Sequence, residues 1–132
     1  MDFADLNFTN TPAQKMELTH PTTEEVLLGS DGNPIWIELY GSDSDVFRKS
    51  IREYGNRKLK KGTKKQTMEE LEQTSSVLLA RATKGWSNNF EVDGEKIKCS
   101  EKAAKELYAD YSWIREQVDL FINERSNFLM TA

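Results

Sequence analysis

The chain has one cysteine and one histidine in 132 residues. With Cys99 alone, no disulfide can close within it, a composition that fits a reducing compartment. His20 precedes Pro21 in a turn-prone stretch and offers neither a metal-ligating set nor an imidazole network, and no motif around Cys99 marks a nucleophile. Cys99 is expected to be a small buried apolar residue. Gly29, Gly32 and Gly41 are spaced for turns, not for a loop that cradles phosphate. Carboxylates are plentiful, but no pair stands in a distinctive setting, and Glu69-Glu70 belongs to a helix start. No apolar run approaches the roughly 20 residues that span a bilayer. The opening Met1-Asp2-Phe3-Ala4-Asp5 lacks the basic-then-apolar layout of a signal peptide. These absences point away from catalysis, a cofactor, a bound metal or a membrane, and toward a cytoplasmic protein that works by binding other macromolecules.

What is present is charge, unevenly placed. Charged residues make up 30% of the chain, the net charge is −4 and the isoelectric point is about 5.1, which argues against a general nucleic-acid binder. The stretch 1–47 holds nine acids and one lysine, whereas 48–65 holds nine Lys or Arg and one acid, Glu53. Within it, Arg57, Lys58, Lys60, Lys61, Lys64 and Lys65 could meet phosphates or an acidic partner. The competing reading is a solvated connector that offsets an acidic body. No aromatic residue is interleaved, which weighs against single-stranded nucleic acid.

Length and patterning predict one α+β domain over 1–132: a small amino-terminal antiparallel sheet followed by a mostly helical bundle with one short hairpin. Residues 1–13 read as an extended arm, 57–66 as a basic flexible segment or frayed helix end, and 126–132 as a tail. Met16 and Leu18 alternate with polar residues, 25–28 is a second short strand candidate, and Ile35, Ile37 and Leu39 alternate after the turn cluster 29–34. The period then changes, and helices are expected near 45–60, 68–84, 101–110 and 113–125. Val46, Phe47, Ile51 and Tyr54 should form the apolar face of the first, and Met68, Leu71, Leu78 and Ala82 that of the second. Ala104, Leu107, Tyr108 and Tyr111 should face inward from the third, and Ile114, Val118, Phe121 and Ile122 from the fourth. Residues 42–45 offer cap oxygens, Thr67 to Glu70 has the form of a capping box, Gly85 is placed to end the second helix, and Ser100 can cap the third. Asp93-Gly94 marks a tight hairpin turn. Trp36 should cover the outer sheet face, and Trp36 and Trp86 are expected in the core. Trp113, off the Ile114 stripe, suits core and interface equally.

Gly85-Trp86, then Phe90-x-Val92-Asp93-Gly94-Glu95-x-Ile97-x-Cys99-Ser100, a helix ending in Leu107-Tyr108, and a last helix running into Asn127-Phe128-Leu129 together resemble the tail assembly chaperones of long-tailed bacteriophages. The resemblance covers roughly 15–129 and includes an aromatic-rich strand followed by a basic helical segment. It implies a non-enzymatic protein of the host cytoplasm, absent from the mature virion, that keeps the long helical tape measure protein soluble. A longer product made by ribosomal frameshifting would recruit tail tube subunits. A chaperone for an apolar helix needs an exposed apolar strip, for which Trp113, Phe128, Leu129 and Met130 are the candidates, and self-association would cover the same strip. The alternative is a small nucleic-acid-binding regulator that uses 57–65.

Overall fold

The computed structural model describes residues 2–61 and 67–129, without the side chains of 57–61. It is an α+β fold: a three-stranded antiparallel sheet, four helices and a two-stranded hairpin. The sheet order is β1 (Gln14–Glu17), β2 (Trp36–Leu39), β3 (Thr83–Trp86), with β2 in the middle. β2 alternates as its sequence requires. Ile37 and Leu39 are fully buried, while Trp36 and Glu38 stay half-buried on the outer face. Met16 sits opposite Ile37 in the β1 register, and Met16 and Leu18 join the same core. On the outer face the Lys15 ammonium lies 4.3 Å from the Trp36 ring centroid, so Trp36 covers that face without entering the core.

The third strand is where structure and sequence expectation part. The candidate strand at 25–28 makes only isolated bridges, Thr19 with Val26 and Leu28 with Pro34. The third strand comes instead from Thr83–Trp86, because α2 (Met68–Ala82) ends three residues before Gly85 and its cap, Thr83, begins β3. Thr83 donates its hydroxyl to Leu79 O at 2.8 Å, and the Tyr40 amide donates to Ala82 O at 2.8 Å. The last turn of α2 is thus satisfied by the sheet, not by a glycine cap. The pairing of β2 and β3 extends beyond the strands through Ser87, whose amide donates to Trp36 O and whose hydroxyl accepts from Trp36 N.

The helices otherwise follow the expected caps. Ser44 Oγ accepts from Phe47 N at 3.2 Å at the start of α1 (Asp45–Lys61). Thr67 and Ser100 cap α2 and α3 (Glu101–Asp110) in the same way, through Glu70 N and Ala103 N. The faces need two corrections. α1 turns Phe47 and Ser50 inward and leaves Val46 and Ile51 exposed, so its inner face is narrower than the apolar stripe. In α2, Met68 and Leu71 are exposed and the inner stripe is Ser76, Leu79, Ala80 and Ala82, of which all but Leu79 are small and admit α3 closely. In α3, Ala104, Leu107 and Tyr108 are buried. In α4 (Ser112–Asn123), Ile114, Val118 and Ile122 are, as their spacing predicts. The Gln117 amide binds both Thr19 N and Thr19 O, tying α4 to the chain after β1. The arm is not simply extended. Phe3–Leu6 form a 3-10 turn capped by Asp2, and Thr9 O accepts from Asp45 N.

β4 (Glu91–Val92) and β5 (Glu95–Lys96) form the short hairpin. Its turn has φ of 52° at Asp93 and 80° at Gly94, the left-handed pair a two-residue hairpin demands. Just before it, buried Asn89 holds the turn 29–34 in place. Its Nδ2 donates to Asp31 Oδ1 at 3.0 Å and Asn33 O at 2.9 Å, and Gly29 approaches so closely that a Cβ there would lie 2.6 Å from the same amide. Asn89→Ala is expected to lower the unfolding free energy by about 1–3 kcal/mol, the loss of its hydrogen bonds to the Asp31 carboxylate and the Asn33 carbonyl, as measured by urea denaturation.

Candidate partner-binding surfaces

The structure distributes the sequence-predicted binding residues very unevenly. Arg57, Lys58, Lys60 and Lys61 belong to the last turns of α1, their side chains outside the described set, and Lys64 and Lys65 lie outside the described residues. Of the segment 57–66 expected to be flexible or a frayed helix end, 57–61 continue α1, and 62–66 lie outside the described residues. Trp113 is half-buried and packs against the core cluster from the first turn of α4. Phe128 is not a surface residue. It is 3% exposed, and its ring meets Phe121 edge-on with centroids 5.6 Å apart. It is buried because Arg125–Phe128 fold into a 3-10 turn that brings the ring over Gly41, where an added Cβ would lie 3.0 Å from the ring. Leu129 keeps the expected exposure, and Met130 lies outside the described residues. Leu120 belongs to none of the predicted apolar stripes. It sits on α4 with 74% of its surface free, detectable only as the residue out of phase with Ile114, Val118, Phe121 and Ile122.

The carboxyl-terminal turn is fastened by charge. Arg125 forms a fork on Asp43, with Nε donating to Oδ2 at 2.6 Å and Nη2 to Oδ1 at 3.2 Å. The hydrogen bond from Arg125 holds the Asp43 carboxyl below its ordinary value of 3.8. Beside this fork, the arm residues Phe3, Leu6 and Phe8 line an open groove of about 650 Å³ with Arg48.

A smaller and more closed cavity, about 210 Å³, lies between the hairpin and α3. Its floor is Trp86, Phe90, Ile97 and Leu107. Trp86 and Phe90 stack with centroids 4.7 Å apart, and the Trp86 indole donates to Ile97 O at 2.7 Å, which fixes the floor against the hairpin. Asp93, Glu106 and Asp110 line its edge, and all three are exposed.

The remaining polar groups have structural tasks. His20 Nδ1 accepts from the Thr22 and Thr23 amides within its turn. Burial pushes the half-buried Cys99 thiol above its ordinary value, which slows its reaction as a thiolate. Tyr108, fully buried, has its phenol pushed well up by burial, and its hydroxyl meets Thr83 Oγ1 at 2.6 Å. Among the described residues no group of three or more His, Cys, Asp or Glu could hold a metal ion, and no helix is long and apolar enough to cross a membrane. No protein family, curated protein or solved structure matches the chain.

The Asp43 fork gives a pH dependence of defined sign. The folded-state value of Asp43 is depressed, so its contribution is fully present above the unfolded value near 3.8 and is lost as pH falls through the lower folded value. Asp43→Asn is therefore expected to melt below the wild-type chain at pH 7, with the gap closing under acid conditions. Thermal melts from pH 7 down to about 2 check this.

Proposed function

We propose that this chain is a non-enzymatic tail assembly chaperone of a long-tailed bacteriophage. It would act in the host cytoplasm, hold the tape measure protein soluble and, through a longer frameshifted product, bring it tail tube subunits. The observation that carries the reading is the run from Gly85-Trp86 through Phe90-x-Val92-Asp93-Gly94 to Cys99-Ser100 and on to Asn127-Phe128-Leu129, which resembles that family. The same residues have coherent positions. Trp86 and Phe90 stack as one unit, Asp93-Gly94 forms the hairpin turn, Ser100 caps α3 and Phe128 closes the carboxyl-terminal end of the core. Exposed apolar side chains, Leu120 on α4 and Leu129 after it, supply what an apolar helical partner would need.

The burial of Phe128 decides which variants test this. Truncation after Arg125 or Phe128→Ala would cost about 3–5 kcal/mol of core packing and would confuse unfolding with lost binding. Leu120→Ser with Leu129→Ser should leave the melting temperature nearly unchanged and sharply reduce capture of a co-expressed tape measure protein. Neutralising Lys60, Lys61, Lys64 and Lys65 should weaken capture most at low salt. Unchanged capture by both variants removes these surfaces from the interface. Capture of nucleic acid by the wild-type chain, lost on neutralising the lysines, would favour the regulator.

The frameshift is readable in the gene. Asn127-Phe128-Leu129 can be written AAU UUU UUA, which contains the slippery run U UUU UUA, on which two tRNAs can step back one base and still pair. We expect this heptamer, or another after Ser112, opening onto a second reading frame. A gene with none excludes the longer product.

A further inference from the structure

We infer that the cavity between the hairpin and α3 receives one lysine or arginine side chain of a partner protein. The volume, about 210 Å³, is below the range of small-molecule sites and suits a single side chain. The floor, built on the stacked Trp86 and Phe90 with Leu107, is apolar and fits an alkyl stem. The edge is acidic throughout its charged positions: Asp93 from the turn, Glu106 and Asp110 from α3. These carboxylates complement a cationic head carried on such a stem, whereas an apolar occupant leaves them unmatched.

The arrangement is also electrostatically unfavourable for the chain itself. Glu106 and Asp110 are four apart on α3, a spacing at which like charges repel. Asp110 stands in the last turn, where the helix end is negative and only Arg115, from the next helix, offsets it by donating to Tyr108 O at 3.2 Å. None of the three carboxylates pairs with a cation among the described residues. Unpaired carboxylates at the edge of an apolar pocket suit a site completed by a positive ligand. The assignment stands apart from the tail-chaperone reading, since it rests on the cavity and its acidic edge.

The experiment uses the full chain with n-butylammonium and n-butylguanidinium as probes, and 1-pentanol as the uncharged comparison. The Trp86 indole resonance reports on the floor, because its N–H is bonded to Ile97 within the cavity wall. Both cations should shift it saturably with affinities near millimolar, about fivefold or more tighter than the alcohol, and less tightly as salt rises. Glu106→Gln with Asp110→Asn should remove the preference for cations and raise the melting temperature, a combination that a merely solvated acidic face would not give. Equal binding of the alcohol, the same cation affinity in the double variant, or no saturable shift up to about 50 mM overturns the proposal. Loss of self-association in the double variant would replace the partner protein with a second copy and overturn the partner assignment.

Discussion

The fold depends on a joint that has no loop in it. α2 passes into β3 at Thr83, which is at once the helix cap and the first residue of the strand. Its hydroxyl hydrogen goes to Leu79 O, so the Tyr108 phenol of α3 donates to Thr83 Oγ1 at 2.6 Å. The carbonyl just before it, on Ala82, is taken by Tyr40 at the end of β2. Helix, sheet and second helix are therefore joined through Thr83 and the residue before it. Around this joint pack the most deeply buried side chains, among them Ile37, Leu39, Ala82, Ala104 and Tyr108. A flexible connector here would let the sheet slide over the helices, and the hairpin that follows β3 would lose its reference to α3.

Much of this was legible in the sequence, and what was not has a common cause. Caps are local: Ser44, Thr67 and Ser100 bond to amides three residues on, so the order of residues suffices to find them. The same holds for Asp93-Gly94, whose backbone angles follow from the residue types. β3 is different. Thr83-Lys84-Gly85-Trp86 has no alternation long enough to read, and becomes a strand because β2 offers it a partner. The chain at 25–28 has the stronger strand composition but receives only single bridges. Tertiary pairing overrode local preference in both directions.

The binding surface was less legible than the fold. Periodicity separates an inner face from an outer one along a helix, but Phe128 lies past the last helix, where no period applies. Its burial follows from the turn at Arg125–Phe128, the fork on Asp43 and the bare backbone of Gly41, contributions from far apart in the chain. Trp113 was balanced between core and surface, and it stands half-buried. The hairpin cavity joins Asp93 to two residues of the following helix and has no sequence signature, since acids at such spacings are common on solvated faces.

The late arrival of β3 has a kinetic consequence. Trp36 and Ser87 exchange hydrogen bonds across a sequence separation of 51, which spans both α1 and α2. On a ribosome, β1 and β2 emerge long before their third strand exists, and a two-stranded ribbon alone is at best marginally stable. The amino-terminal third must therefore wait, loosely formed, until α2 has been synthesised and its end can swing against β2. Closing so long a loop lowers the folding rate more than the final stability. The rate-limiting step of folding should then be the docking of β3 on β2, with the α1–α2 pair acting as the hinged arm that delivers it.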